Sequence, residues 1–188
     1  MLKNNIILIC LTTASMLFNI NLNVPQTYQN PELPNGCEVT SLTMAVDYKG
    51  YNFDKITLAN TLPHSSNPNL GFIGSPFSRS GFYCFNKPIC AVCDTNGINY
   101  EDITGCDVNR LNLELIKGNP VVVWGTLRWT QPTYCRNGLY SNLHCVCLKG
   151  YNGDCYIIAD PLYGERYIPK SQFVNIWTIM GKRAVVIK

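Results

Sequence analysis

Gln29-Asn-Pro-Glu-Leu-Pro-Asn-Gly-Cys37-Glu-Val-Thr-Ser-Leu42 is the stretch whose reading decides the fold. Pro31 and Pro34 fix their own φ and bias the residues before them toward extended backbone. Asn35-Gly36 is a turn signal. After it, Val39, Leu42 and Val46 recur at helical spacing with Ala45 beside them, which predicts a helix with Cys37 at its mouth. A cysteine there lies near unpaired backbone N–H groups and the positive end of the helix dipole, an environment that favours the thiolate. Taken alone, such a cysteine is more often buried or disulfide-bonded. A histidine and an aspartate far downstream, each in a fitting context, shift the reading toward a nucleophile.

Upstream, Met-Leu-Lys-Asn-Asn5 is a short, positively charged start, and Ile6 to Ile20 is mostly apolar, interrupted by Thr12, Thr13, Ser15 and Asn19. This is the shape of a secretory signal peptide, with Ala14 and Ser15 as small residues near a cleavage point. The run is shorter than a comfortable membrane span. An uncleaved membrane anchor is the runner-up, because no clean Ala-x-Ala site follows. A lipid-attached Cys10 is the weakest reading, since Ile9 rather than a small residue precedes it. Residues 1–23 are therefore assigned to a leader or anchor and residues 24–188 to one folded domain, with a secreted or cell-surface location expected.

The 188 residues are long enough for one domain with a real core. A net charge of +3 with no Lys or Arg run gives no footing for nucleic acid, and leaves membrane contact only to the anchor alternative. Of the ten cysteines, nine follow the leader, and setting Cys37 aside leaves Cys84, Cys90, Cys93, Cys106, Cys135, Cys145, Cys147 and Cys155. Eight permit up to four disulfides in an oxidising compartment.

Downstream, the Cys37 helix is expected to close at Gly50. Asp54 predicts the N-cap of a second helix through Ile56, Leu58, Ala59 and Leu62, stopped by Pro63. Residues 64–105 read as a long loop whose aromatics Phe72, Phe77, Phe82, Tyr83 and Phe85 can wall a groove and whose cysteines can staple it. Asp107 caps a third helix carrying Leu111, Leu115 and Ile116, closed by Gly118. Val121-Val-Val-Trp124 is a buried strand, and residues 126–129 extend it. His144 to Leu148 is the next strand, with His144, Val146 and Leu148 on one face and Cys145 and Cys147 on the other. Asn152-Gly153 turns a hairpin into Cys155 to Ala159. Ser171 predicts the cap of a last helix through Phe173, Ile176, Trp177 and Met180, and residues 183–187 a final strand. Helices first and a meandering sheet after them make an α+β fold.

Two histidines are present. His64 reads as a solvated loop residue. His144 opens an apolar strand, where an imidazole is a satisfied core group or has work to do. The hairpin returns the chain so that Asp160 arrives beside it, and a carboxylate there would hold the tautomer and stabilise the imidazolium. Asp160 before Pro161 also reads as a simple turn former. Together the residues fit nucleophilic catalysis: Cys37 attacks a carbonyl, His144 moves the proton and Asp160 orients His144. The backbone N–H of Cys37 and the side-chain amide of Gln29 are the expected oxyanion donors, with Gln26 as a competitor.

The stretch from Gln29 to Leu42 closely resembles the opening motif of the bacterial family 39-like cysteine peptidases, relatives of the bacteriocin-processing double-glycine peptidases in the papain-like clan. Gly71-Phe-Ile-Gly-Ser-Pro76, Gly118-Asn-Pro-Val-Val-Val-Trp124, His144-x-Val-x-Leu-x-Gly-Tyr151 and Asp160-Pro-Leu162 match further pieces in order. The resemblance covers almost the whole chain beyond about residue 24. It implies a papain-like fold, with the cysteine helix against an antiparallel sheet. It also implies Cys37 as nucleophile, His144 as base, Asp160 as orienter and Gln29 as oxyanion donor, acting on a peptide or protein substrate without a cofactor. Family members that process leaders are fused to a transporter, and none is present in these residues, so that role is not carried over. The eight further cysteines depart from the family pattern.

Three other readings compete. Cys90-x-x-Cys93 could be disulfide-stapled, could join Cys84 and Cys106 at zinc, or could be a redox pair, in that order. Glu38 in the first helical turn is expected to favour the helix N-terminus. Trp124, Trp129 and Trp177 are expected in the core or groove wall. For the whole protein, the alternatives are a catalytically idle peptide or cell-wall binding module, or a transpeptidase or deamidase using the same acyl-enzyme.

Overall fold

The structure, a computed structural model, describes residues 19–188. Residues 1–18 of the expected leader lie outside the described residues. Helix α1, Cys37–Tyr48, begins at the predicted turn and ends at Lys49, where Gly50 takes φ 85°. Every residue from Cys37 to Val46 is buried, so this helix runs through the interior. Helix α2, Lys55–Asn60, starts as expected: Asp54 accepts from the N–H groups of Ile56 and Thr57, both at 2.8 Å.

The strands are β1 Ile20–Asn21, β2 Tyr100–Asp102, β3 Val121–Thr126, β4 Leu143–Tyr151, β5 Cys155–Asp160, β6 Gly164–Pro169 and β7 Ala184–Ile187. They form one antiparallel sheet in the order β2-β7-β3-β4-β5-β6, with β1 pairing the far end of β4. Three more helices complete the chain: α3 Asn86–Thr95, α4 Val108–Ile116 and α5 Lys170–Ile179.

Both faces of the sheet are covered. Val122 and Trp124 of β3, Cys145 and Cys147 of β4, and Val185 and Ile187 of β7 join the core beneath α1 and α3. The alternate residues Val121, Val123, Val146, Leu148, Ala184 and Val186 join a second core beneath α4 and α5. Burial on both sides explains why β3 and β7 read as unbroken apolar runs. Trp124, Trp129 and Trp177 are all core residues.

Four expectations are corrected. The stretch 64–105 is not one loop, since it contains α3 and β2. Phe85 precedes α3 without a side-chain cap and Pro88 sits in its first turn, so no cap signal marks it. Thr126 extends β3 as its last residue, but residues 127–129 do not. They turn through Leu127–Trp129, with Arg128 at φ 59° and Trp129 at φ 57°, and Trp129 stacks on Phe173 with ring centroids 4.7 Å apart. Ser171 is not the cap of α5; Pro169 holds that position without a side-chain bond. Ile116 is exposed rather than packed.

Among the described residues the structure holds no disulfide. All nine between residues 19 and 188 are free thiols. Cys84 and Cys93 lie in the core beneath α1, whereas Cys106 packs against the other core, so the sheet separates groups that a shared zinc would need together. Among the described residues, no cluster of three or more His, Cys, Asp or Glu is placed to hold a metal ion. Among them too, no helix is long and apolar enough to cross a membrane.

Candidate active site

The segment leading to Cys37 is held by its own backbone and by the loop beyond α2. Leu33 donates its N–H to the Gln29 carbonyl at 2.9 Å, and Gly36 donates to the Leu33 carbonyl at 3.0 Å. A Cβ on Gly36 would lie 2.6 Å from the Leu33 Cβ, so only glycine fits where the chain folds back. Asn35 donates Nδ2 to the Ser78 carbonyl at 2.7 Å and its N–H to the Pro76 carbonyl at 3.2 Å. These bonds fix the entry to α1 and present Cys37 as its first residue. Among the described residues the Cys37 N–H has no hydrogen-bond partner, as befits the first N–H of a helix without a side-chain cap.

Gln29, Pro34, Asn35, Cys37, Phe82, Leu127, Leu143, His144 and Leu162 line one cleft of about 170 Å³. It joins a neighbouring groove walled by Phe82, Tyr83, Leu127, Tyr140 and Leu143. Of the aromatics expected to wall a groove, Phe82 and Tyr83 do so. Phe72 and Phe85 are core residues, and Phe77 is exposed. Leu127 and Leu143 carry no sequence signal of their own, whereas Leu162 closes the Asp160-Pro-Leu162 piece. Each stands at the end of a strand or in the turn beyond one, where the topology gathers chain ends beside α1.

His144 is buried, and its Nε2 lies 2.9 Å from Oδ1 of buried Asp160. The same oxygen accepts the backbone N–H groups of Leu162 at 2.8 Å and Tyr163 at 3.3 Å. Burial works against ionisation of Asp160, but His144 and the two N–H donors outweigh it and hold the carboxyl below its usual range. With Nε2 on the carboxylate, Nδ1 is the imidazole nitrogen left for other work.

Gln29 is buried in the cleft wall. Its Nε2 donates to the Pro34 carbonyl at 2.8 Å, one of the two N–H bonds the amide can offer, while Oε1 is buried without a partner. Gln26 lies elsewhere: it is exposed and donates to the Thr27 and Asp160 carbonyls. His64 is an exposed loop residue whose Nδ1 pairs with the Gly74 carbonyl at 2.7 Å.

One expectation about the nucleophile region changes and a second is extended. Burial, then the charge of Glu38, push the Cys37 thiol up, and the backbone N–H of Cys145 does not overcome them. Glu38 stands in the first turn of α1 as expected, but its carboxylate also faces inward. It is fully buried, accepts the Cys84 N–H at 3.0 Å, and accepts the Cys37 thiol at 3.3 Å. Helical periodicity alone could not find this, because α1 is enclosed on all sides.

Known proteins share this sequence pattern and this fold. Residues 21–185 match the model of the Peptidase_C39 like family. The chain belongs to that family. This C39-like chain is 36% identical over 178 residues to the uncharacterized protein YvpB of Bacillus subtilis (strain 168), covering 84% of this chain and 71% of the relative. A crystal structure of a candidate C39-like peptidase from Bacillus anthracis superposes with a TM-score of 0.81 at 30% identity, over 90% of this chain and 97% of that one. A double glycine motif protease from an AMS/PCAT transporter, solved with a leader peptide, shares the fold with a TM-score of 0.55 at 18% identity, over 91% and 94% of the two chains. The antiparallel sheet with the cysteine helix packed on it is thus the papain-like architecture of the C39-like peptidases.

Proposed function

We propose that this C39-like chain is an exported cysteine peptidase acting on peptide or protein substrates through Cys37, His144, Asp160 and Gln29. The observation that carries the reading is the cleft lined by Cys37, His144 and Gln29, with His144 backed by buried Asp160. Cys37 passes its thiol proton to Nδ1 of His144 and attacks the substrate carbonyl carbon. Asp160 keeps Nδ1 free and stabilises the imidazolium. The oxyanion is met by the unpaired Cys37 N–H and by the second N–H of the Gln29 amide. His144 then returns its proton to the leaving amine, and water releases the acyl group by the reverse path.

Export rests on the charged start and apolar run at the N-terminus. Ile20 and Asn21 pair with Tyr151 and Gly150, so a cleavage ahead of Ile20 is the one that keeps the sheet whole.

The test is a digest of a proteome-derived peptide library, read by mass spectrometry, with the wild type, Cys37→Ala and His144→Ala. New peptide ends from the wild type alone are expected. Folded wild type that yields no more cleavage than Cys37→Ala would overturn the peptidase reading. Fractionation of cells carrying the full chain with a C-terminal tag tests export: a product confined to the cytoplasm would refute it.

A further inference from the structure

Glu38 is the buried ionisable group that the proposed reaction leaves unused. It lies next to Cys37 in sequence and touches it in space, with Oε2 3.3 Å from Sγ. Its Oε1 accepts the N–H of Cys84, whose carbonyl in turn accepts from Trp124 Nε1 at 2.9 Å. The carboxylate is thereby clamped between α1 and the segment that leads out of the groove wall at Phe82 and Tyr83. Among the described residues no lysine or arginine forms an ion pair with it. A buried carboxylate with no cation, met only by its own N–H, the Cys84 N–H and the Cys37 thiol, is held at a cost, and taking up a proton relieves it.

The groups facing this pair come from several elements. Cys37 belongs to α1. Tyr83 and Cys84 come from the wall, Cys145 from β4 and Asp160 from the end of β5. His144 stands in the same cleft, and Arg183 lies behind the wall over the Phe85 ring, 3.6 Å from its centroid. Burial pushes Glu38 up to about 7, against the pull of its own N–H, that of Cys84 and the thiol. Its charge therefore changes near neutrality, the range in which an imidazole also changes.

We propose that Glu38 is a latch on the nucleophile: ionised, its Oε2 holds the Cys37 thiol protonated, and protonated, it releases that thiol to His144. The proposal rests on the reading of Cys37 as nucleophile. On release the S–H bond breaks and an N–H bond forms at Nδ1 of His144, giving thiolate and imidazolium. The proton on Glu38 comes from solvent, and nothing is oxidised or reduced. Glu38 is a positioning residue here, because it acts on substrate only through Cys37.

The experiment is alkylation of Cys37 by iodoacetamide from pH 5 to 9, mapped by mass, for the wild type, Glu38→Gln, His144→Ala and the double variant. Glutamine keeps the shape and an acceptor for the Cys84 N–H but removes the charge. Glu38→Gln is expected to speed labelling about tenfold at pH 8, where ionised carboxylate outnumbers the protonated form in the wild type by about ten to one, and about twofold at pH 7, and His144→Ala is expected to abolish that gain. A Glu38→Gln profile that superimposes on the wild type or moves toward alkali, while His144→Ala still slows labelling, overturns the latch and leaves the nucleophile reading standing. Labelling indifferent to His144 in both backgrounds overturns both. Should Glu38→Gln not fold, carbon-13 titration of the Glu38 carboxyl in the wild type and Cys37→Ala decides the matter. Loss of the thiol donor is expected to raise its midpoint, and an unchanged midpoint refutes the latch.

Discussion

His144 and Asp160 meet at 2.9 Å, Nε2 to Oδ1, from the second residue of β4 and the last residue of β5. Neither could reach the other without the hairpin between them. Asp160→Asn keeps the shape and can still accept the Leu162 N–H, but it removes the charge that stabilises an imidazolium. The expected result is a fall in kcat on the order of 10² to 10⁴ with a melting temperature close to the wild type, measured by steady-state cleavage and calorimetry. Activity within a few-fold of the wild type would remove Asp160 from the reaction.

Gln29 and Gln26 are separated by the structure, one buried in the cleft wall and one exposed outside it. Gln29→Ala is expected to lower kcat about 10²- to 10³-fold with little change in KM, since the amide meets charge that develops during reaction. Gln26→Ala should leave both constants alone. Equal losses in the two variants would mean that Gln29 supports the backbone rather than the oxyanion.

Gly36 tests the approach to α1. Alanine there would set its Cβ 2.6 Å from that of Leu33. The chain must then shift at the residue before Cys37. A loss of about 1–3 kcal/mol is expected in urea unfolding, and Cys37 labelling should slow with it. Unaltered stability would show that the turn opens at no cost.

Glu114 gives a pH dependence of opposite sign to Glu38. Burial opposes its ionisation, yet hydrogen bonds from Lys188, Asn119 and Lys117 bring it down to about 2. Unfolded, the carboxyl titrates near 4.5. The unfolded chain therefore holds that proton more tightly. The contribution is complete above about pH 4.5 and is lost as pH falls toward 2. Glu114→Gln should cost on the order of 2 kcal/mol at pH 7, allowing for screening of the partly exposed lysines. The two stability curves should converge only as pH falls through about 2. A gap that stays constant across this range would contradict the assignment.

Much of this architecture is legible because its causes are local. A cap acts over three residues, so Asp54 and Asp107 announce α2 and α4 directly. Glycine after a helix gives the ends at Gly50 and Gly118. A strand buried on both faces must be apolar throughout, which marks β3. By contrast α3 begins without a side-chain cap, and β6 is an edge strand of mixed residues, Gly-Glu-Arg-Tyr-Ile-Pro169. Neither carries a local pattern strong enough to read. The cysteines mislead in another way: sequence counts them, but the sheet sorts them to opposite sides.

By itself, then, the sequence determined the helix start at Cys37, the strand and hairpin that carry His144 and Asp160, and the α+β order, since each depends on neighbours a few residues away. Tertiary structure alone decided that Leu127 and Leu143 wall the cleft and that Glu38 is enclosed against the thiol and the Cys84 N–H. Those outcomes depend on groups brought together across more than forty residues of chain, as Glu38 is with Cys84, where burial rather than local propensity sets the free energy.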